Sequence, residues 1–276
     1  MFRPWRGCLP LVVTLALAGA AAATARETGP ETAVGSAPDI NGALAGAPDL
    51  AQVLAPLEAE LQASLGRVLV TAPRGLAKGS GDDDGLGDWV ADTMLAAASA
   101  SLGVPVQAAL TNHGGLRRNL APGPVRAEDL YEVLPFENQL VVAELTGAEL
   151  VQLVQETLRH PGGEPWAGLR ITLEGRPDQP RLRVTWTDGT PILPAATYRL
   201  ATSDYLVAVA GGGGNGLPTL RAGRHLVTTG LTQRQLLLDA CEQLARSHGQ
   251  LLPPPTGRMR VDPGLAAALR AGSLRW

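Results

Sequence analysis

Leucines at 50, 54, 57, 61 and 65 recur at helical spacing and predict a helix over 48–65. GDWVADTMLAAASASLG, 87–103, predicts another, with Val90, Met94, Ala97 and Ser101 on one face and Gly103 as its stop. VQAALT, 106–111, is apolar without alternation, the pattern of a short strand buried on both sides. RAEDLYEVL, 126–134, reads as a short helix closed by Pro135, and NQLVVAEL, 138–145, as a strand. Thr146 caps a helix in GAELVQLVQETLRH, where Leu150, Val154 and Leu158 form one stripe. GLRITLE and RLRVTWT alternate at period two, with Asp188–Gly189 as a turn signal, and TYRLATS, 197–203, is a further strand. Thr232 and Gln235 predict a capping box for TQRQLLLDACEQLARSHG, and GRMRVD, 257–262, predicts a last short strand. This order of elements predicts an α/β fold: a single domain with a mixed sheet and flanking helices.

The ends of the chain read differently. MFRPWRG is basic, CLPLVVTLALAGA is apolar, and AAATA supplies small residues, the order of a secretory signal peptide over 1–25 with cleavage after Ala25. The apolar run is shorter than the ~20 residues a membrane span requires, so no stable span is expected after cleavage. Cys8 lies too far upstream of the small residues to become a lipid-attached first residue. The destination is therefore read as secreted or periplasmic. Residues 26–47 read as a flexible linker, 48–262 as the domain and 263–276 as a C-terminal tail. Removing the signal leaves Cys241, whose apolar flanks suit a buried thiol rather than a nucleophile. At 45% hydrophobic and net charge −3, the composition is globular and lacks the basic stripe of a nucleic-acid binder.

Candidate chemistry gathers in two glycine loops. TNHGGLR, 111–117, offers adjacent glycines whose backbone N–H groups could converge on one point, beside the Arg117 donor fork and the Asn112 amide. SDYLVAVAGGGGNGLP is dense in glycine from 211 to 216, which marks close approach of something to the main chain or a flexible loop, and Tyr205 precedes it. Between the loops, Phe136 stands in a polar step after Pro135, suited to stacking on a planar ligand or to packing in the core.

LGDWVADTML, TNHGGLR, PVRAEDLYEVLPFENQL, ELTGAEL and SDYLVAVAGGGGNG resemble, in this order, segments of the 5'-nucleotidase family's C-terminal domain, over roughly residues 48–262. The resemblance implies an α/β domain that binds the nucleotide substrate. It implies that Asn112, Gly114, Gly115 and Arg117 hold the phosphate or sugar, that Phe136 and Tyr205 sandwich the base, and that Asn138 lies near it. Asn215 stands where the family often has aspartate, Tyr205 where it usually has phenylalanine, and Asp82 where an arginine helps clamp the phosphate. Asp82, Asp83 and Asp84 read as a solvated loop, with a calcium site as the weaker alternative because only one short segment offers ligands.

Family members hydrolyse nucleotides with an N-terminal metallophosphatase domain carrying two metal ions. The histidines here, at 113, 160, 225 and 248, stand singly, so neither a catalytic residue nor a metal site is expected, and His113 reads as loop filler rather than a general base. Asp92 is a candidate neighbour for it. The expected function is therefore the binding half of a 5'-nucleotidase, a hydrolase of nucleotide catabolism. Its partners are a nucleotide or nucleoside and a separate metallophosphatase subunit that holds the divalent metals and acts in trans. The alternative is a non-catalytic module whose groove holds a protein or cell-envelope partner.

Overall fold

Short apolar strands that do not alternate need cover on both faces, and this chain supplies it by putting them between two cores. The computed structural model describes residues 48–79, 84–207, 217–221 and 226–276, and Asp49–Trp276 form one compact unit. Helix α1 (Pro48–Leu65) leads to strand β1 (Val68–Ala72), then α2 (Gly85–Leu102) and β2 (Ala108–Leu110). A 3-10 turn, His113–Gly115, precedes β3 (Gly123–Arg126), α3 (Ala127–Val133), β4 (Gln139–Thr146) and α4 (Gly147–Thr157). Then come β5 (Trp166–Ala167), β6 (Leu169–Arg176), β7 (Gln179–Trp186), β8 (Thr197–Ser203), α5 (Asp204–Val207) and α6 (Pro218–Arg221). The chain closes with β9 (Leu226–Thr232), α7 (Gln233–Arg246), β10 (Met259–Val261) and α8 (Pro263–Arg270).

The central sheet has the order β5-β2-β8-β4-β9 and is mixed, because β2 runs parallel to β8 while the other pairs are antiparallel. Successive side chains of a strand point to opposite faces. Leu140 and Val142 of β4 therefore join Ala109 and Ala201 in one core, under α2, α3 and α7. Val141, Ala143 and Leu145 join Ala108, Leu110 and Leu200 in the other, which α4, α8 and a second sheet complete. That second sheet, β10-β6-β7, pairs β10 parallel to β6, and β1 with β3 forms a two-stranded antiparallel ribbon.

Several expectations need correcting. The stretch after 262, expected as a tail, forms α8 and buries Leu265, Leu269 and Leu274. Thr232 does cap α7, accepting from Gln235 N, but the Gln235 side chain donates forward to Asp239 at 2.7 Å instead of completing the box. The buried stripe of α2 ends at Ala98; Ala97 is only partly buried and Ser101 is exposed. Strands β1, β3, β5 and β9 are additions to the predicted set. Cys241 is fully buried, and burial, helped by the charge of Glu242, pushes its thiol up to about 12. At Thr146 the predicted cap is a full capping box, with Glu149 returning to Thr146 N at 2.8 Å. Among the described residues no helix is long and apolar enough to cross a membrane.

Leucines on two predicted helices thus have opposite fates. Leu153 of α4 is completely buried, whereas Leu57 of α1 is 58% exposed. Leu153→Ala is expected to cost about 2–5 kcal/mol in urea unfolding, and Leu57→Ala less than about 0.5 kcal/mol.

Candidate functional site

The strand register decides what meets at the edge of the central sheet. Because β2 and β8 are parallel, with Ala109 opposite Ala201, both deliver their C-terminal ends to the same side. There β2 runs into the Thr111–Arg117 loop and β8 into Tyr205 on α5. Strand β4 is antiparallel to β8, with Leu140 opposite Ser203, so its start, carrying Phe136 and Asn138, lies at that edge as well.

Asn112, Gly114, Gly115, Arg117, Phe136, Asn138 and Tyr205 together line one cleft of about 320 Å³. Phe136 is 44% exposed, and the Arg117 guanidinium carbon lies 6.0 Å from its ring centroid. Arg117 also donates to the Gly114 carbonyl at 3.2 Å, and its backbone N–H donates to Val133 O at 2.8 Å. Tyr205 is partly buried against the second core. Asp204 joins the two aromatic walls, accepting from Gln139 N at 3.0 Å and Tyr205 N at 2.8 Å. The Phe136 segment is braced from behind by Arg234, a residue that the sequence did not single out. Its guanidinium stacks 4.2 Å from the Tyr131 ring centroid, donates to Leu134 O and pairs with Glu137.

The glycine turn differs in kind from the one expected. Neither Gly114 nor Gly115 has positive φ, and the Gly115 N–H is spent inside the turn on Asn112 O at 3.1 Å. The pair is not a nest of converging N–H groups. An added Cβ at either position would press on the Asn112 amide, at 3.2 Å from Gly114 and 3.3 Å from Gly115. Asn112 is 8% exposed and its Oδ1 is buried without a partner. Asn215, Asp82 and Asp83 lie outside the described residues, as do the signal and linker segments over 1–47.

Two sequence expectations fail behind this turn. Asp84 is not part of a solvated loop: at 2% exposure it caps α2, accepting from Gly87 N at 3.1 Å and Gly79 N at 3.0 Å. His113 is not loop filler. Its Nε2 lies 2.5 Å from Asp84 Oδ2 and its Nδ1 lies 3.0 Å from Gly163 O, while its backbone N–H donates to Glu164 Oε2 at 2.7 Å. Glu164 in turn accepts from His160 Nδ1 at 2.8 Å. Asp92 belongs elsewhere, pairing with Arg258 at 2.5 Å. An aspartate just before a helix is a legible cap signal, but nothing in the sequence announces partners as distant as Asp84, His113 and Glu164.

Burial is the largest single influence on His113 and would lower its pKa. Hydrogen bonds and charge from Asp84 and Glu164 together outweigh it and raise the value from 6.5 to about 10. Burial likewise works to raise Glu164, yet its contacts with His113 and His160 bring it below its usual 4.5. Hydrogen bonding to Glu164, partly offset by burial, raises His160. Among the described residues no group of three or more His, Cys, Asp or Glu side chains is arranged to hold a metal ion.

These shifts set a pH dependence of stability. A raised histidine contributes fully below its ordinary 6.5, and that contribution is lost as pH climbs through about 10. The Glu164 contribution is present above 4.5 and is lost as pH falls through its lowered value. Urea midpoints of the wild-type chain are expected to fall between pH 7 and pH 10, and those of His113→Asn to start lower and change less.

The family described as 5'-nucleotidase, C-terminal domain, matches residues 64–221, more than half of the chain. The Probable 5'-nucleotidase of Treponema pallidum (strain Nichols) is 33% identical over 132 residues, covering 43% of this chain and 22% of that protein. The Trifunctional nucleotide phosphoesterase protein YfkN of Bacillus subtilis (strain 168) is 30% identical over 186 residues, covering 63% of this chain and 12% of that protein. The crystal structure of the 5'-nucleotidase precursor from Thermus thermophilus superposes with a TM-score of 0.62 at 26% identity, covering 78% of this chain and 42% of that one. The chain thus spans less than half the length of each of these relatives. Its ordered motifs, its mixed α/β architecture and these matches agree: the chain belongs to the family of 5'-nucleotidase C-terminal domains.

Proposed function

We propose that this chain is an exported module of nucleotide catabolism that binds a nucleotide or nucleoside in the cleft between Phe136 and Tyr205, with hydrolysis carried out by a metallophosphatase partner in trans. The observation that carries the reading is the convergence of three sequence-distant segments on one cleft of about 320 Å³, with an aromatic ring from each of two of them. That volume is at the small end of ligand sites and suits one nucleoside-sized molecule. Phe136 and Tyr205 offer ring faces to a planar base. Asn138 and Asn112 offer amides to sugar or base, and Arg117 offers a planar fork of donors to an anionic group.

These side chains hold and orient; the divalent metals and the water they activate belong, in this reading, to the partner domain. Membership of a nucleotidase family supports the nucleotide class of ligand. Export rests on the basic, apolar and small-residue order of the first 25 residues. The mature chain recovered from a secreting host is expected to begin at Arg26, which N-terminal sequencing reads directly.

Calorimetric titration of the mature chain with AMP and with adenosine tests the binding. Phe136→Ala is expected to weaken both ligands by about 1–3 kcal/mol through lost stacking. Arg117→Ala is expected to weaken AMP about tenfold and adenosine much less. A wild-type chain that takes up no nucleoside or nucleotide would sink this reading.

A further inference from the structure

The turn that forms one wall of the cleft has two sides. Asn112, Gly114 and Gly115 line the cleft. His113, between them in sequence, instead lines a hollow of about 10 Å³ behind it, with Asp84, Asp88, Glu164 and Arg258. The sheet explains the division. On the cleft side β2 neighbours β8, and on the other it neighbours β5, so the ladder carries Pro165 to Thr111 N at 3.2 Å and Glu164 to His113 N at 2.7 Å.

The ring geometry fixes its charge. The groups facing the imidazole nitrogens are all acceptors: the Asp84 carboxylate 2.5 Å from Nε2, and the Gly163 carbonyl at 3.0 Å and Glu164 Oε2 at 3.3 Å from Nδ1. Each nitrogen must therefore carry a hydrogen, which makes the ring a cation. Gly87 leaves the space this needs, since a Cβ there would stand 2.1 Å from Asp84 Oδ2. The other groups facing the ring are Asp88 from α2, Glu164 with His160 behind it, and Arg258, which already pairs with Asp88 at 3.3 Å and Asp92 at 2.5 Å. A neutral ring would leave Asp84 and Glu164 flanking it without the positive charge between them, and the turn would have to move to separate them.

We propose that protonated His113 is a positioning residue of the cleft: by bridging Asp84 and Gly163 it sets where Asn112, Gly114 and Gly115 stand against Phe136 and Tyr205, and the hold on ligand follows the charge of that ring. The ligand clause rests on the nucleotide reading above, while the positioning clause does not. The imidazolium lines the hollow behind the turn and not the cleft, so its effect passes through the turn that carries it.

Asp84→Asn is the test variant, because asparagine caps a helix as well as aspartate does, while it removes the charge and turns a donor, in place of the Oδ2 acceptor, toward the ring. In the ligand-free, isotope-labelled chain, NMR follows the His113 ring nitrogens and the Gly114 and Gly115 amides from pH 6 to pH 11. The wild-type ring should be doubly protonated at pH 7, and the glycine amides should shift with the ring's own midpoint. In Asp84→Asn that shared midpoint should drop by ~1–3 units. A neutral ring at pH 7, or glycine amides that ignore its titration, overturns the proposal. A second arm titrates adenosine, which has no phosphate to ionise, at pH 6 and pH 9. Wild-type affinity should change little, whereas the variant should match it at pH 6 and lose about tenfold at pH 9. Equal pH profiles for the two chains overturn the proposal too. If the wild type binds no adenosine at either pH, the nucleoside reading fails, and the ligand-free arm alone decides the positioning role.

Discussion

One register, β2 beside parallel β8 beside antiparallel β4, governs everything at the functional edge. Parallel neighbours end on the same side, and an antiparallel third strand begins there. Three segments far apart in sequence are thus brought together by backbone ladders with Ala109 opposite Ala201 and Leu140 opposite Ser203. A slip of one residue in β4 would exchange Leu140 and Val142 with Val141 and Ala143 between the two cores, so apolar burial on both faces locks the register. The position of the cleft is in this sense a consequence of core packing.

A cleft outside strand ends must be lined by irregular backbone, and irregular backbone must satisfy its own polar groups. The chain meets that requirement with side chains that reach back from the turns. Asp204 takes two N–H groups, Glu164 takes the His113 N–H, and Asp84 closes the first turn of α2. Arg234 reaches the Leu134 carbonyl from α7. Among the described residues two buried side-chain oxygens lack a protein partner, Thr202 Oγ1 on β8 and Asn112 Oδ1 in the wall of the cleft itself. Leaving such a group unmet by protein or water costs about 1–3 kcal/mol.

How much of this could be read from the sequence depended on the range of the interaction. Helix α4 was legible because Thr146 and Glu149 are three residues apart and its stripe repeats at helical spacing. Strand β8 matched residue for residue, its seven residues bounded by turn-forming neighbours. Strand β3 was missed because Gly123 and Pro124 are turn residues anywhere except in a two-stranded edge ribbon, and Gly230 breaks the apolar pattern of β9 in the same way. Helix α8 carried both Pro263 at its start and leucines at 265 and 269, but what it packs against is β6, far away in the chain. The cleft residues were named through the order of family motifs, since no short spacing links Asn112 to Phe136 or Tyr205. The buried cluster around His113 escaped altogether. A lone histidine beside two glycines has no local signature, and its meaning comes from residues 29 and 51 positions away.

The two cations of the turn are used in different ways, and the difference bears on what the cleft can recognise. His113 is turned inward and mostly buried, with its side chain 19% exposed, where a lower dielectric strengthens each of its contacts and salt screens them less. Arg117 is turned outward, exposed beside Phe136, where water and ions weaken its attraction for an anion. In the proposed nucleotide reading the base would meet the rings of Phe136 and Tyr205, and the anionic part would meet Arg117, whose pull the solvent weakens.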